Sequence, residues 1–452
     1  MVASSASVWR TASSRLRLPI RSTDSASHPR SPSAPSNTLI RDTWRAMTVD
    51  RRWSAASPYR NIHRPADGGA WVDIGLVGSG QWVLCVNQDG DVAATHVAQV
   101  IRSSTEQQQI IHEPPVMPVR DWYGLVGWFR APAVLIVQLQ SNLRSLKIYS
   151  YALPPRDRSS VLAGTEEQLS HCELSLAPRT TISAIRVCAQ RRCLMVLCKE
   201  PNNSPPWFVG VWRWGPDEED TRHPPCHAMR TAYFEANDCV FRLVETKEGP
   251  HVLVVRASKH ATHFEFYDLP KHMTNPDQIE PEPQIPIACE SIPWVCHQIT
   301  LPQSGDAPAT DAPECDGRIS VVLCIARSPR LSEILSYRVS LEGQNRRLAV
   351  RLSFLGGSTL AEFSDVTRCV LGERGVRGVA IISDPRSLSK TELALLTLGN
   401  DGLAMRRFSQ PAGEDSIPAA VAIDELCGTL AILGSDHEMH IHIFDPEVIL
   451  AE

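Results

Sequence analysis

The 452 residues carry 45 Lys and Arg against 50 Asp and Glu, a formal net charge of −5, with 43% hydrophobic residues, 34 Pro and 25 Gly. That apolar content supports a large buried core, yet no apolar run approaches the ~18 residues that cross a bilayer, so no membrane contact is expected. Charge is split: residues 1–60 hold ten Arg, no Lys and three acids, net +7, and the rest is net −12, which argues against nucleic acid as a partner of the folded part.

Residues 1–36 are rich in Arg, Ser and Pro and poor in aromatics, a composition that cannot bury enough surface to order itself. A disordered tail is expected there. The same Arg-rich, acid-poor leader is compatible with mitochondrial import. Pro19, Pro29, Pro32 and Pro35 limit any amphipathic helix to Ser4–Leu18, so cytoplasm or nucleus is the favoured location. Residues 37–65 read as a linker, and the stretch from Ser54 to Pro65 as a strand that closes the body formed by residues 66–446.

Seven stretches of alternating apolar and polar residues follow, each broken by turns: Trp71–His96, Tyr123–Tyr151, Thr181–Trp214, Asp238–Leu269, Pro293–Val339, Val376–Phe408 and Ala419–Phe444. Period-two alternation with frequent turns marks short antiparallel strands. In the first stretch Asp89-Gly90 offers the positive φ of a two-residue hairpin. In the sixth, Leu393–Leu398 faces Leu403–Phe408 across Gly399-Asn400-Asp401-Gly402. The more polar segments Arg347–Phe354 and Cys172–Leu176 suit the outer strand of a blade, which meets solvent on its far side. Recurrence of such units predicts an all-β, seven-bladed, WD-repeat-like β-propeller.

The sequence has no G-x-S-x-G elbow, no Gly-rich phosphate loop, no H-E-x-x-H and no dinucleotide fingerprint, so no catalytic residue, cofactor or metal is expected. His440 and His442 share a strand face and could reach one metal, but two His without a third ligand more often decorate a solvated edge strand. The same holds for His260 and His263. Cys188, Cys193 and Cys198 fall on apolar strands, where Cys is a small buried hydrophobe. The thirteen Cys show no disulfide framework, which fits a reducing, intracellular compartment. Asp217-Glu218-Glu219-Asp220 reads as a solvated rim loop that can also steer a basic partner. Trp212 and Trp214 alternate onto one face and share one role, either a wedge between sheets or a surface that binds a partner.

Two end segments carry a resemblance. Asp50-Arg51-Arg52-Trp53, Gly78-Ser79-Gly80-Gln81-Trp82 and Asp89-Gly90-Asp91-Val92 resemble the first blade of fungal F-box proteins with a WD-repeat-like propeller, and Val421-Ala422-Ile423-Asp424-Glu425-Leu426-Cys427-Gly428 is similar to their last. The resemblance implies the substrate receptor of a ubiquitin ligase, with a Skp-type adaptor and a cullin as partners. The F-box signature Leu-Pro-x-Glu-Leu is missing: the leader has Leu18-Pro19 followed by Ile20-Arg21-Ser22. Thr43-Trp44-Arg45-Ala46-Met47 corresponds to the segment that joins F-box to propeller, so the chain reads as an F-box-less relative or one with a remnant. The function expected is therefore a monomeric, non-catalytic protein-interaction module. The alternative is an enzyme or small-molecule binder with converging polar side chains in the central channel.

Overall fold

The computed structural model describes residues 36–64, 71–77, 82–87, 92–97, 126–130, 133–139, 145–152, 172–175, 181–188, 193–199, 207–213, 226–231, 234–236, 238–246, 249–269, 283–302, 318–327, 332–344, 347–361, 364–372, 375–384, 387–399, 402–408, 417–425 and 427–445. Helix α1 is Ser36–Ser54 and strand β1 Arg60–Arg64. Sheet I holds β2 (Trp71–Val77), β3 (Trp82–Asn87) and β4 (Val92–His96), and sheet II β5 (Val126–Arg130), β6 (Ala133–Leu139), β7 (Ser145–Ala152) and β8 (Cys172–Ser175). Sheet III holds β9 (Thr181–Cys188), β10 (Cys193–Lys199), β11 (Trp207–Arg213) and β12 (Cys226–Thr231). Sheet IV holds β13 (Asp238–Thr246), β14 (Gly249–Ala257), β15 (Thr262–Asp268) and β17 (Ala288–Ile292), while the short β16 (Pro283–Gln284) adds in parallel to sheet III. Sheet V is β18 (Cys296–Thr300), β19 (Arg318–Arg327), β20 (Ser332–Gln344) and β21 (Arg347–Thr359), and sheet VI is β22 (Asp365–Leu371), β23 (Arg377–Asp384), β24 (Ser387–Gly399) and β25 (Gly402–Phe408). Sheet VII is β26 (Pro418–Asp424), β27 (Thr429–Gly434), β28 (Met439–Ile443) and β1.

The first strand of each sheet lies beside the first strand of the next, from β2 through β5, β9, β13, β18, β22 and β26 back to β2. The protein is an all-β propeller. Among the described residues, sheets II and IV to VII are four-stranded, sheet I three-stranded and sheet III five-stranded.

Burial follows strand position. Central strands such as β27 are buried along their whole length, since both faces meet a neighbouring sheet. Leu253, Val255, Phe264 and Phe266 of sheet IV pack on Leu335, Tyr337 and Val339 of sheet V, and Met195, Leu197, Val209 and Val211 of sheet III on Phe241, Val252 and Val254 of sheet IV. β21 and β8 are the outermost strands of their sheets, as their polar texture suggests. The hairpin of β24 and β25 has the register read from its turn, Leu398 opposite Leu403 and Gly399 opposite Gly402.

The ring is fastened by β1, which pairs antiparallel with β28, Arg60 opposite Ile443 through Arg64 opposite Met439. This strand lies within the segment from which closure was expected, and it covers an edge that would otherwise be open. Within residues 37–65, read from sequence as a linker with a closing strand, helix α1 packs on the ring. Thr43, Ala46, Val49 and Trp53 form its buried stripe, the i, i+3, i+4 spacing of an amphipathic helix. Val49 and Trp53 join the core between sheets VI and VII. Trp53 Nε1 donates to the Leu396 carbonyl at 3.0 Å, and its ring lies 4.8 Å from that of Phe444. The helix ends where Ala56 takes φ 50° and Ser57 N donates back to the Arg52 carbonyl at 2.9 Å, a left-handed cap that satisfies the last turn.

A buried polar cluster holds the helix against the turns below sheets VI and VII. Arg377 is fully buried; its Nη1 donates to the Glu425 carbonyl at 2.8 Å and its Nη2 to Asp50 Oδ1 at 3.3 Å. Glu425 Oε1 accepts from the Val376 and Arg377 amides, and Arg45 pairs with Asp445. Desolvation pulls the Arg377 pKa down, opposed by Asp50 and Glu425; a cation so placed is tolerable only with such partners.

Candidate functional site at the mouth of the channel

Because each sheet is an antiparallel meander, its inner strands all begin at one end of the ring, and a recurring irregularity occurs there. The register shifts between Trp71 and Asp73 in β2, Cys296 and Gln298 in β18, Val366 and Arg368 in β22, and Pro418 and Ala420 in β26. Each shift leaves one residue out of the ladder: Val72, His297, Thr367 and Ala419. Bulges of this kind re-aim side chains and free backbone groups.

The freed groups are used across sheets. Asp73, Asp238 and Asp365 each accept the amide of the next residue, at 2.9–3.0 Å. Asp238 Oδ2 also accepts Ile299 N of the adjacent sheet at 2.7 Å. Burial pushes the Asp238 carboxyl above its ordinary value, held back by the Ile299 and Cys239 amides and by His297. His297, the bulged residue of β18, places Nε2 3.5 Å from Asp365 Oδ1. Arg368 Nη1 donates to the Ala419 carbonyl at 3.2 Å, and its Nη2 lies 4.0 Å from Asp73 Oδ1 on sheet I. Five ionisable side chains from four sheets thus meet at one rim.

In the turn that leads into β18, three residues before His297, Trp294 is 50% exposed and Val295 is exposed too. The Trp294 carbonyl accepts the Thr262 hydroxyl at 2.8 Å, which fixes the turn. An exposed aromatic in an anchored turn has the makings of a contact hot spot. Sequence reading passed over it, although a Trp in a turn, between Pro293 and a strand, was a usable signal.

The residues singled out from sequence fare differently. Trp212 lies in β11 opposite Leu194 and His227; its side chain, Trp214 and the acidic run Asp217–Asp220 lie outside the described residues. Cys193 pairs in register with Cys188 across a hairpin, and the buried Cys198 thiol donates to the Val196 carbonyl at 3.8 Å. His263 bonds the Ser291 and Ser258 hydroxyls at 2.8 and 3.1 Å, while His260 is exposed. The expected solvated setting of His440 and His442 is overturned: both are buried, because β1 covers β28 and removes its edge.

A second polar cluster lies between sheets III and IV. Arg256 donates twice to Glu265 Oε1 at 2.7 and 2.9 Å, and the Tyr267 hydroxyl donates to Oε2 at 3.0 Å. Burial pushes the Tyr267 phenol and the nearby Cys239 thiol well up, and the Cys369 thiol up to about 12. These groups stay protonated near neutrality and are poor nucleophiles or bases.

No protein-family model matches this chain, and no curated protein matches it. Among solved structures it is similar to the Cps50 (Swd1) beta-propeller domain of Myceliophteria thermophila, at 11% identity and a TM-score of 0.45 over 84% of this chain and 98% of that one. It is also similar to KlHsv2 with loop 6CD replaced by a Gly-Ser linker, at 9% identity and a TM-score of 0.40 over 82% and 90% of the two chains.

Proposed function

We propose that this chain is a non-catalytic protein-interaction module whose sheets form one seven-bladed, WD-repeat-like ring that holds a partner protein at the channel mouth. The observation that carries the reading is the tethering of the rim: its carboxylates are engaged by backbone amides and by cations of neighbouring sheets. Groups so engaged make a stiff polar platform rather than a poised acid and base. Three carboxylates share the rim with one Arg and one His, an exposed Trp lies in the turn three residues before that His, and the residues after 60 are net −12. The partner segment that fits is basic with an apolar or aromatic anchor.

A ubiquitin-ligase substrate receptor is the finer form of this reading, supported by the resemblance of the two end segments. In that form the exposed face of α1, Trp44, Met47 and Arg51, is the surface left for a Skp-type adaptor, since the opposite face packs on the ring. The protein would act as an intracellular monomer. The convergence of Asp73, Asp238, His297, Asp365 and Arg368 also favours a second reading, a small cationic ligand seated in the channel.

Affinity capture with the tagged full chain tests both. Retention of a protein partner that is lost with Trp294→Ala and Arg368→Glu supports the module, and a Skp-type adaptor among the retained proteins supports the ligase role. Partners equally retained by both variants would move the interaction away from this rim. Capture of no protein at all, with a small cation protecting the chain against melting, would favour the second reading.

A further inference from the structure

The pairing of β1 with β28 brings together side chains that are 375 residues apart in sequence. His63 sits directly opposite His440 in the register, so both rings project from one face of sheet VII, and they stack with centroids 4.7 Å apart and planes 17° from parallel. Glu438 immediately precedes Met439, the first residue of β28, after a turn in which His437 takes φ 66°. Its Oε2 lies 2.6 Å from His63 Nε2. One nitrogen or carboxylate oxygen from each of His63, Glu438 and His440 lies within 4.8 Å of the others.

Two further facts set this cluster apart from a surface ion pair. His440 is only 4% exposed, and its Nε2 is buried without a hydrogen-bond partner. A buried polar atom without a partner is destabilising by about 1–3 kcal/mol, so its persistence calls for a reason. His63 and Glu438 are half-exposed, at 51% and 35%, and leave a path for an ion to enter.

The geometry points to a Zn²⁺ site in which His63, His440 and Glu438 are the protein ligands and the ion staples the closing strand to the last sheet. Two imidazoles and a carboxylate with a fourth, solvent-facing position are a donor set suited to this ion. Ligand atoms ~3.4 Å apart complete a tetrahedron at Zn bonds of about 2.1 Å, so rotation of the exposed His63 and Glu438 side chains by about an ångström closes the site. His63 ligates through Nε2 as the neutral imidazole tautomer with its hydrogen on Nδ1, and Glu438 ligates as the carboxylate. Because the ligands come from both ends of the ring, unfolding separates them; binding therefore stabilises the closed ring by linkage.

The test uses the full chain stripped with a chelator and titrated with Zn²⁺ alone. Calorimetry is expected to give one equivalent bound, and at about 100-fold excess over Kd the melting temperature rises by ~3 °C. Co²⁺ in place of Zn²⁺ is expected to give the visible absorption of a tetrahedral site. His63→Ala removes a half-exposed ring and Glu438→Gln changes one oxygen to an amide, so each abolishes the increment and the Co²⁺ band while the metal-free protein remains folded. Failure of the wild-type chain to bind, or binding and stabilisation unchanged in both variants, would overturn the assignment.

Discussion

Trp53 offers the sharpest test of how the N-terminal segment holds the ring. Its side chain is fully buried between sheets VI and VII, against Phe444 and beneath the Leu396 carbonyl that accepts its indole N–H. Trp53→Ala removes the ring and leaves a cavity, a loss of ~3–5 kcal/mol, and strips one donor from a buried carbonyl, adding about 1 kcal/mol. At ~2.1 cal/mol/K per residue, a cooperative body of about 400 residues loses ~1 °C for every 0.8 kcal/mol or so. The expected fall in melting temperature is thus about 5–7 °C, and Trp53→Phe, which keeps most of the apolar area, should cost about a third of that. Trp44 provides the control on the same helix: it is 57% exposed, and Trp44→Ala should stay within ~1 °C of the parent. Scanning calorimetry reads both. If Trp53→Ala melts with Trp44→Ala, the helix is not seated in the groove and the account of ring closure fails.

Gly428 takes φ 56°, and a Cβ there would run into Val49 of α1; Gly428→Ala should lower stability by ~1–3 kcal/mol, read by urea unfolding. Removing residues 1–65 takes away α1 and β1 together and should reduce the melting temperature far more than removing residues 1–35, with light scattering reporting association through the exposed edge of β28. Arg377→Met leaves Glu425 and Asp50 without their buried cation and should cost ~3–5 kcal/mol by denaturant titration. Burial and His440 depress the pKa of His442 from 6.5 to about 3. Between those values the unfolded chain binds more protons than the folded one, so stability falls as pH drops from 6.5 towards 3, by about 2 kcal/mol at pH 5. His442→Gln should flatten that slope, and an unchanged slope would show that the ring is not held neutral.

The strands that the amino-acid sequence determined are those written in local pattern. Thr429–Gly434 is apolar throughout because a central strand meets a sheet on each side, and the Gly399–Gly402 turn carries its own register. Helix α1 escaped notice because its apolar period is brief, Ala46, Val49 and Trp53 among Arg residues. It acquires a partner only once the turns of sheets VI and VII stand side by side. The rim was equally illegible, since Asp73, Asp238, His297, Asp365 and Arg368 have no common spacing, and all but Asp238 lie at or beside bulges that depend on the partner strand. His440 shows the difference most simply. Alternation places it on a face of its strand, but whether that face meets water or His63 depends on a strand almost four hundred residues earlier, because only closure of the ring brings the two ends of the chain together.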